Sequence, residues 1–110
     1  MIAKSLKIEE EKWSVSIQSR LGRDEWVKPY TGPSLKALAE KGMKRVVVFC
    51  PSFVADCLET IEEIGISSAD HFKEYGGEEL LLVPSLNNHP EWVLALTSII
   101  RHQLAVYNTS

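Results

Sequence analysis

The sequence reads as an α/β domain, a three-layer αβα arrangement of Rossmann-like type with a parallel sheet at its centre. Three observations predict it. Strand-type and helix-type patterns alternate along the chain, which calls for a parallel sheet with helices on both faces. Two continuous apolar runs, at 45–50 and 80–83, have the character of strands covered on both faces. Stretches between and after them carry apolar stripes at helical spacing. The 110 residues suit one domain, and a chain of this size buries roughly 60–70% of its unfolded surface. A composition of 45% hydrophobic and 25% charged residues is ordinary for a globular protein. It excludes a disordered, collagen-like or disulfide-framework chain. No apolar run approaches the ~20 residues a membrane-spanning helix needs, and the N-terminus lacks a signal-peptide core. Twelve basic against fifteen acidic residues give a net charge of −3, so no nucleic-acid partner is expected. Two cysteines, Cys50 and Cys57, make no framework and mark no oxidising compartment. A soluble, cytoplasmic domain is the expectation.

The elements follow in order. Residues 2–6 form the end of a helix with no capping residue before it, so the chain is expected to begin inside an element of something longer. The charged run 9–12 is a solvated loop. Residues 13–18 alternate apolar and polar, as in a half-buried strand. A long loop at 19–32 contains Arg20, Gly22, Arg23, Trp26 and Pro29; connections of this length are uncommon and often functional. Thr31 caps a short helix running to Lys41, with Pro33 in its first turn and Gly42 closing it. The strand at 45–50 comes next. Pro51, Ser52 and Phe53 turn the chain into a helix from about Asp56 to Tyr75, interrupted near Gly65 and ended by Gly76 and Gly77. A third strand occupies 80–83. Asn87 and Asn88 lead into a last helix, in which Asn88 and Glu91 stand at capping-box spacing and Pro90 lies in the first turn. Val93, Leu96, Ile99, Ile100 and Leu104 line one of its faces. Three strands make a thin sheet with long edges.

Open α/β sheets bind ligands at the carboxyl ends of their strands, which nominates residues 18–29, 51–63 and 84–90. The middle segment is the most informative. At about 100° per residue, Asp56, Glu59 and Glu63 share one stripe of the helix, apart from the apolar face of Cys57, Leu58, Ile61 and Ile64. Two readings stand side by side. The stripe is a solvated face, with Asp56 and Glu59 as a D-x-x-E capping pair at the positive end of the dipole. Alternatively it is a row of hard oxygen ligands and proton acceptors, with pKa values raised by crowding and partial burial. His71, His89 and His102 have no mutual metal spacing. Cys50 and Cys57 lack zinc spacing and look like small core residues. Trp26 either plugs the local core or lines a site. Gln18, Ser19 and Arg20, leaving the first strand, either hold an anionic ligand or are ordinary surface groups.

These segments resemble the C-terminal half of ferrochelatase, the enzyme that inserts ferrous iron into a porphyrin to make haem. The resemblance rests on QSRLG at 18–22, Trp26 with PYT at 29–31, LKALAEKG at 35–42, CPSFVADCLETIEEI at 50–64, and PSLN at 84–87 with Pro90. Together they cover nearly the whole chain, and the most specific part is Phe53, Asp56, Glu59 and Thr60. The resemblance implies one half of a chelatase fold, with a porphyrin cleft between two similar α/β halves. It implies that Glu59 is the active-site glutamate and meets the metal, and that Glu63 and Asp56 continue an acidic row away from it. The family's helix here carries a π-type widening that brings the acids to one side. Trp26 matches a porphyrin-contacting aromatic, Phe53 lies beside the pocket, and Gln18, Ser19 and Arg20 match the cleft edge. The family's active-site histidine belongs to the preceding half, and none of His71, His89 or His102 stands at its position. The expected partners are therefore porphyrin, ferrous iron as substrate, and the missing N-terminal half. No permanently bound cofactor is expected, nor an iron–sulfur cluster, since two cysteines cannot supply four ligands. Peripheral membrane association and homodimerisation stay open. Two alternatives stand beside this reading: a half-size homodimeric metal chelatase, and a non-catalytic tetrapyrrole-binding module.

Overall fold

The computed structural model describes residues 2–18 and 28–109. Helix α1 spans Ile2–Ser5 and a 3₁₀ turn spans Glu10–Lys12. Helix α2 covers Thr31–Glu40, strand β1 Arg45–Val48, a π-helix Glu59–Ser68, helix α3 Ala69–Glu74, strand β2 Glu79–Leu82, and helix α4 Pro90–Thr109. β1 and β2 pair in parallel, with Arg45 opposite Glu79 and Val48 opposite Leu82. Helix-linked parallel strands are what the alternating pattern demanded, so the α/β class holds.

The sheet is smaller than expected. Residues 13–18 do not form a strand; their backbone pairing is one isolated parallel bridge between Ile17 and Tyr30. In it the Ile17 N–H donates to the Pro29 carbonyl at 2.8 Å, and the Thr31 N–H to the Ile17 carbonyl at 3.2 Å. Two strands therefore stand where three were expected among the described residues. The expectation of cover on both faces also fails. Side chains alternate across a strand, and Val46, Val48 and Leu82 pack against the core while Val47 is 67% and Leu81 53% exposed. A run of apolar residues fits burial on two faces, but only neighbouring elements can supply the second cover, and here they cover one.

The core gathers Leu35 and Ala39 of α2, Ile64 of the π-helix, Ala69 and Phe72 of α3, and Leu80 of β2. Phe72 is wholly buried. Its ring occupies the space a Cβ on Gly77 would need, so the chain can pass this close only as glycine. Helix α4 contributes little. Val93, Leu96, Ile99, Ile100 and Leu104 form the expected stripe, yet all five are exposed. The second helical layer is thus not assembled within the described residues.

Helix ends show how local chemistry was redirected. Thr31 does not cap α2; its hydroxyl pairs with the Ser16 hydroxyl at 2.9 Å, and the Ser34 hydroxyl instead donates to the Tyr30 carbonyl. Gly42 closes α2 at φ 92°, with the Met43 N–H reaching back to the Leu38 carbonyl, a Schellman ending. Gly76 at φ 106° ends α3 in the same way, through the Gly77 N–H and the Phe72 carbonyl. At the start of α4 the cap is His89, whose Nδ1 accepts the Glu91 N–H at 3.2 Å, in place of the expected Asn88–Glu91 box.

Candidate functional site

The carboxyl ends of β1 and β2 face the same end of the sheet, and the chain leaving β1 reaches the π-helix there. No break occurs at Gly65. The chain winds through it in the wider i→i+5 pattern, with the Ala69 N–H bonding the Ile64 carbonyl, and Gly65 passes close to Leu82 of β2. Thr60, Ile64 and Ser68 form the buried row of this helix. Glu59 and Glu63 each precede a member of that row and so make a parallel row beside it. Ser67 donates to Glu62 at 2.8 Å, five residues back, a contact suited to the wider turn. π-Helices are rare beyond a single turn and concentrate at functional sites. The widening that the resemblance implied is present.

The three acids have different surroundings. Glu59 is exposed, and the Cys57 thiol lies 3.4 Å from its Oε2. Glu63 is half-buried, and the Gln18 amide donates to its Oε2 at 3.4 Å, across 45 residues of sequence. Asp56 precedes the helix and is engaged at both oxygens. Asn87 Nδ2 donates to its Oδ2 at 3.0 Å, and the Thr60 hydroxyl and Ser85 N–H donate to its Oδ1 at 3.0 and 3.3 Å. In return the Asp56 N–H donates to Asn87 Oδ1 at 2.8 Å. These bonds, that from Asn87 foremost, hold the Asp56 carboxyl below its ordinary range, although some desolvation opposes them. Of the two readings of the row, the one with proton acceptors implied raised pKa values; at Asp56 the direction is the reverse, because hydrogen-bond donors surround the carboxylate. The D-x-x-E capping pair does not form either, since no side chain caps the π-helix. Burial pushes the Cys50 thiol up, and the charge of Asp56 adds to it.

An open groove of about 1520 Å³ runs between residues 13–18 on one wall and β1 with the 49–53 turn on the other. Gln18 and Phe53 line it, together with Ile17, Leu38, Val47 and Phe49. It exceeds the roughly 300–1,000 Å³ of an enclosed small-molecule pocket. Glu59 and Glu63 do not line the groove, but Gln18 does, and its amide is what reaches Glu63. The structure thus brings Gln18 to Glu63 and Phe53 to the groove, and leaves Glu59 facing outward. Ser19, Arg20 and Trp26 lie outside the described residues. Among the described residues no three His, Cys, Asp or Glu side chains gather to hold a metal ion.

Sequence reasoning gave Asn87 no role of its own beyond its place in the 84–90 segment and the PSLN stretch. The available signal was the residue type, since asparagine tolerates the left-handed region and suits tight turns; the structure places it at φ 50°. Sequence reasoning also missed the Thr60 hydroxyl, which accepts the Cys57 N–H at 3.0 Å while donating to Asp56.

The ferrochelatase family model matches residues 1–104. The chain belongs to the ferrochelatase family. It is 57% identical over 97 residues to a ferrochelatase of Pseudomonas putida, covering 88% of this chain and 29% of that one. A ferrochelatase of Azotobacter vinelandii is 54% identical over 99 residues, covering 90% of this chain and 29% of the relative. One from Pseudomonas fluorescens biotype C is 53% identical over 97 residues, with 88% and 28% covered. The chain therefore spans less than a third of the length of these ferrochelatases.

Proposed function

We propose that residues 1–110 are the C-terminal domain of a ferrochelatase, a lyase-class, cytoplasmic enzyme that inserts ferrous iron into protoporphyrin IX or coproporphyrin to form haem. In this reading the N-terminal half of the enzyme supplies the histidine that faces Glu59. It also covers the open face of the sheet, completing the three-layer, Rossmann-like half of the chelatase fold. The observation that carries the reading is the π-helix, which holds Glu59 and Glu63 in a row of their own beside buried Thr60, Ile64 and Ser68.

Metalation removes two protons from pyrrole nitrogens and strips water from the incoming ion. Glu59, exposed and at the head of the row, offers the ion a single carboxylate and takes one pyrrole proton as the ion passes on; the second proton goes to Glu63. Among the described residues the oxygen ligands do not converge in threes, and a loose set of this kind suits an ion that must be passed on, since a tight site would trap it. Asp56, held charged by its donors, adds negative potential that draws the cation along the row. Phe53, with Trp26, offers flat apolar surface to the macrocycle, and Gln18, Ser19 and Arg20 form the cleft edge. Iron enters as substrate. The reading includes no iron–sulfur cluster on this chain, because Cys50 and Cys57 are its two cysteines. No helix among the described residues is long and apolar enough to cross a membrane.

The test is Glu59→Gln in the full-length enzyme. Most iron insertion is expected to disappear while porphyrin still binds, read by its absorbance shift; full activity would remove Glu59 from the chemistry. Porphyrin-dependent metal uptake by a dimer of the 110-residue chain would replace this reading with a half-size chelatase. Porphyrin binding without metalation at full length would replace it with a binding module.

A further inference from the structure

We propose that Asn87 is a positioning residue for Glu59, acting through Asp56 and Thr60; the consequence for turnover rests on the chelatase reading. Three observations carry it. First, Asn87 spans the ends of two parallel strands. Its backbone N–H donates to the Val54 carbonyl at 2.8 Å, and its side chain bonds both the N–H and the carboxylate of Asp56. Second, Asp56 passes the constraint on to Thr60, which is 1% exposed and adjoins Glu59 in the chain. Thr60 in turn fixes the Cys57 N–H, so the turn entering the π-helix is bonded at residues 56, 57 and 60. Third, among the described residues Glu59 makes no comparable bond of its own: its partner is the Cys57 thiol, a weak donor at 3.4 Å. The place of the Glu59 carboxylate is therefore set by backbone that Asn87 holds from 31 residues away. A misplacement of about 1 Å in a reacting group can cost on the order of a hundredfold in rate. Asn87 touches no reacting atom and works only by fixing where Glu59 begins.

The backbone at Asn87 lies at φ 50°, a conformation glycine adopts without strain. Asn87→Gly in the full-length enzyme therefore removes the side-chain bonds and spares the turn. Hydrogen exchange followed by mass spectrometry is expected to show at least tenfold faster exchange in peptides covering 56–61, with other peptides unchanged. Unchanged exchange there would overturn the proposal whether or not the enzyme metalates porphyrin. In the chelatase assay kcat is expected to fall at least tenfold with KM for porphyrin within about twofold. An unaltered kcat alongside faster exchange would also overturn it. A kcat loss matched by an equal rise in KM would do the same, marking a general structural role. Asn87→Asp sets two carboxylates against each other and is expected to lose more. If the unaltered enzyme inserts no metal, the chelatase reading falls alone, and the exchange measurement still decides whether Asn87 holds Glu59 in place.

Discussion

Asn87 grips Asp56 at two points, accepting its backbone N–H at 2.8 Å and donating to its carboxylate at 3.0 Å. An acid at the end of the row thereby becomes a structural tie between the loop after β1 and the loop after β2. The same bonds explain why its carboxyl titrates low while it sits among acidic neighbours in the sequence.

That lowered pKa makes stability depend on pH, in a direction that can be worked out. Below about pH 3.9 the unfolded chain has taken up the Asp56 proton, whereas the folded chain resists it. The stabilisation is therefore complete above the unfolded value and is lost as pH falls through the folded one. Thermal denaturation between about pH 5 and pH 3 is expected to show a shallower fall in Tm for Asp56→Asn than for the unaltered protein. Parallel curves would mean that the carboxylate gains nothing from its donors on folding.

Gly77 and Phe72 compete for one volume. Gly77→Ala is expected to cost about 1–3 kcal/mol by overpacking against the buried ring. Denaturant unfolding measures it. Phe72→Leu opens space beside Gly77 and should make the alanine less harmful, so the two changes together are expected to cost less than their sum. Strict additivity would place the strain elsewhere.

The uncovered sheet face is expected to make the 110-residue chain associate when it is studied alone. Val47 and Leu81 lie side by side in the strand register and point to that face. Val47→Lys is expected to shift sedimentation towards monomer with a stability change within about 0.5 kcal/mol, since no packing is lost at an exposed position. Association unaltered by the lysine would move the sticky surface to another element, α4 first.

Near-neighbour chemistry made much of this protein legible. Alternation of patterns predicted parallel strands joined by helices; Gly42 and Gly76 marked two helix ends; spacing placed Glu59 and Glu63 in one row; and the 50–64 segment with PSLN pointed to the family that the comparison then showed. These features depend on residues a turn or a strand apart, so a linear reading reaches them. Tertiary structure alone decided the rest. It set Gln18 against Glu63 and Asn87 against Asp56, contacts that exist only once the ends of different elements meet. It traded Asn88 for His89 as the cap of α4 and gave Thr31 to Ser16. It also left one sheet face and the stripe of α4 open, because apolar periodicity states that a surface seeks cover and says nothing of what arrives to cover it.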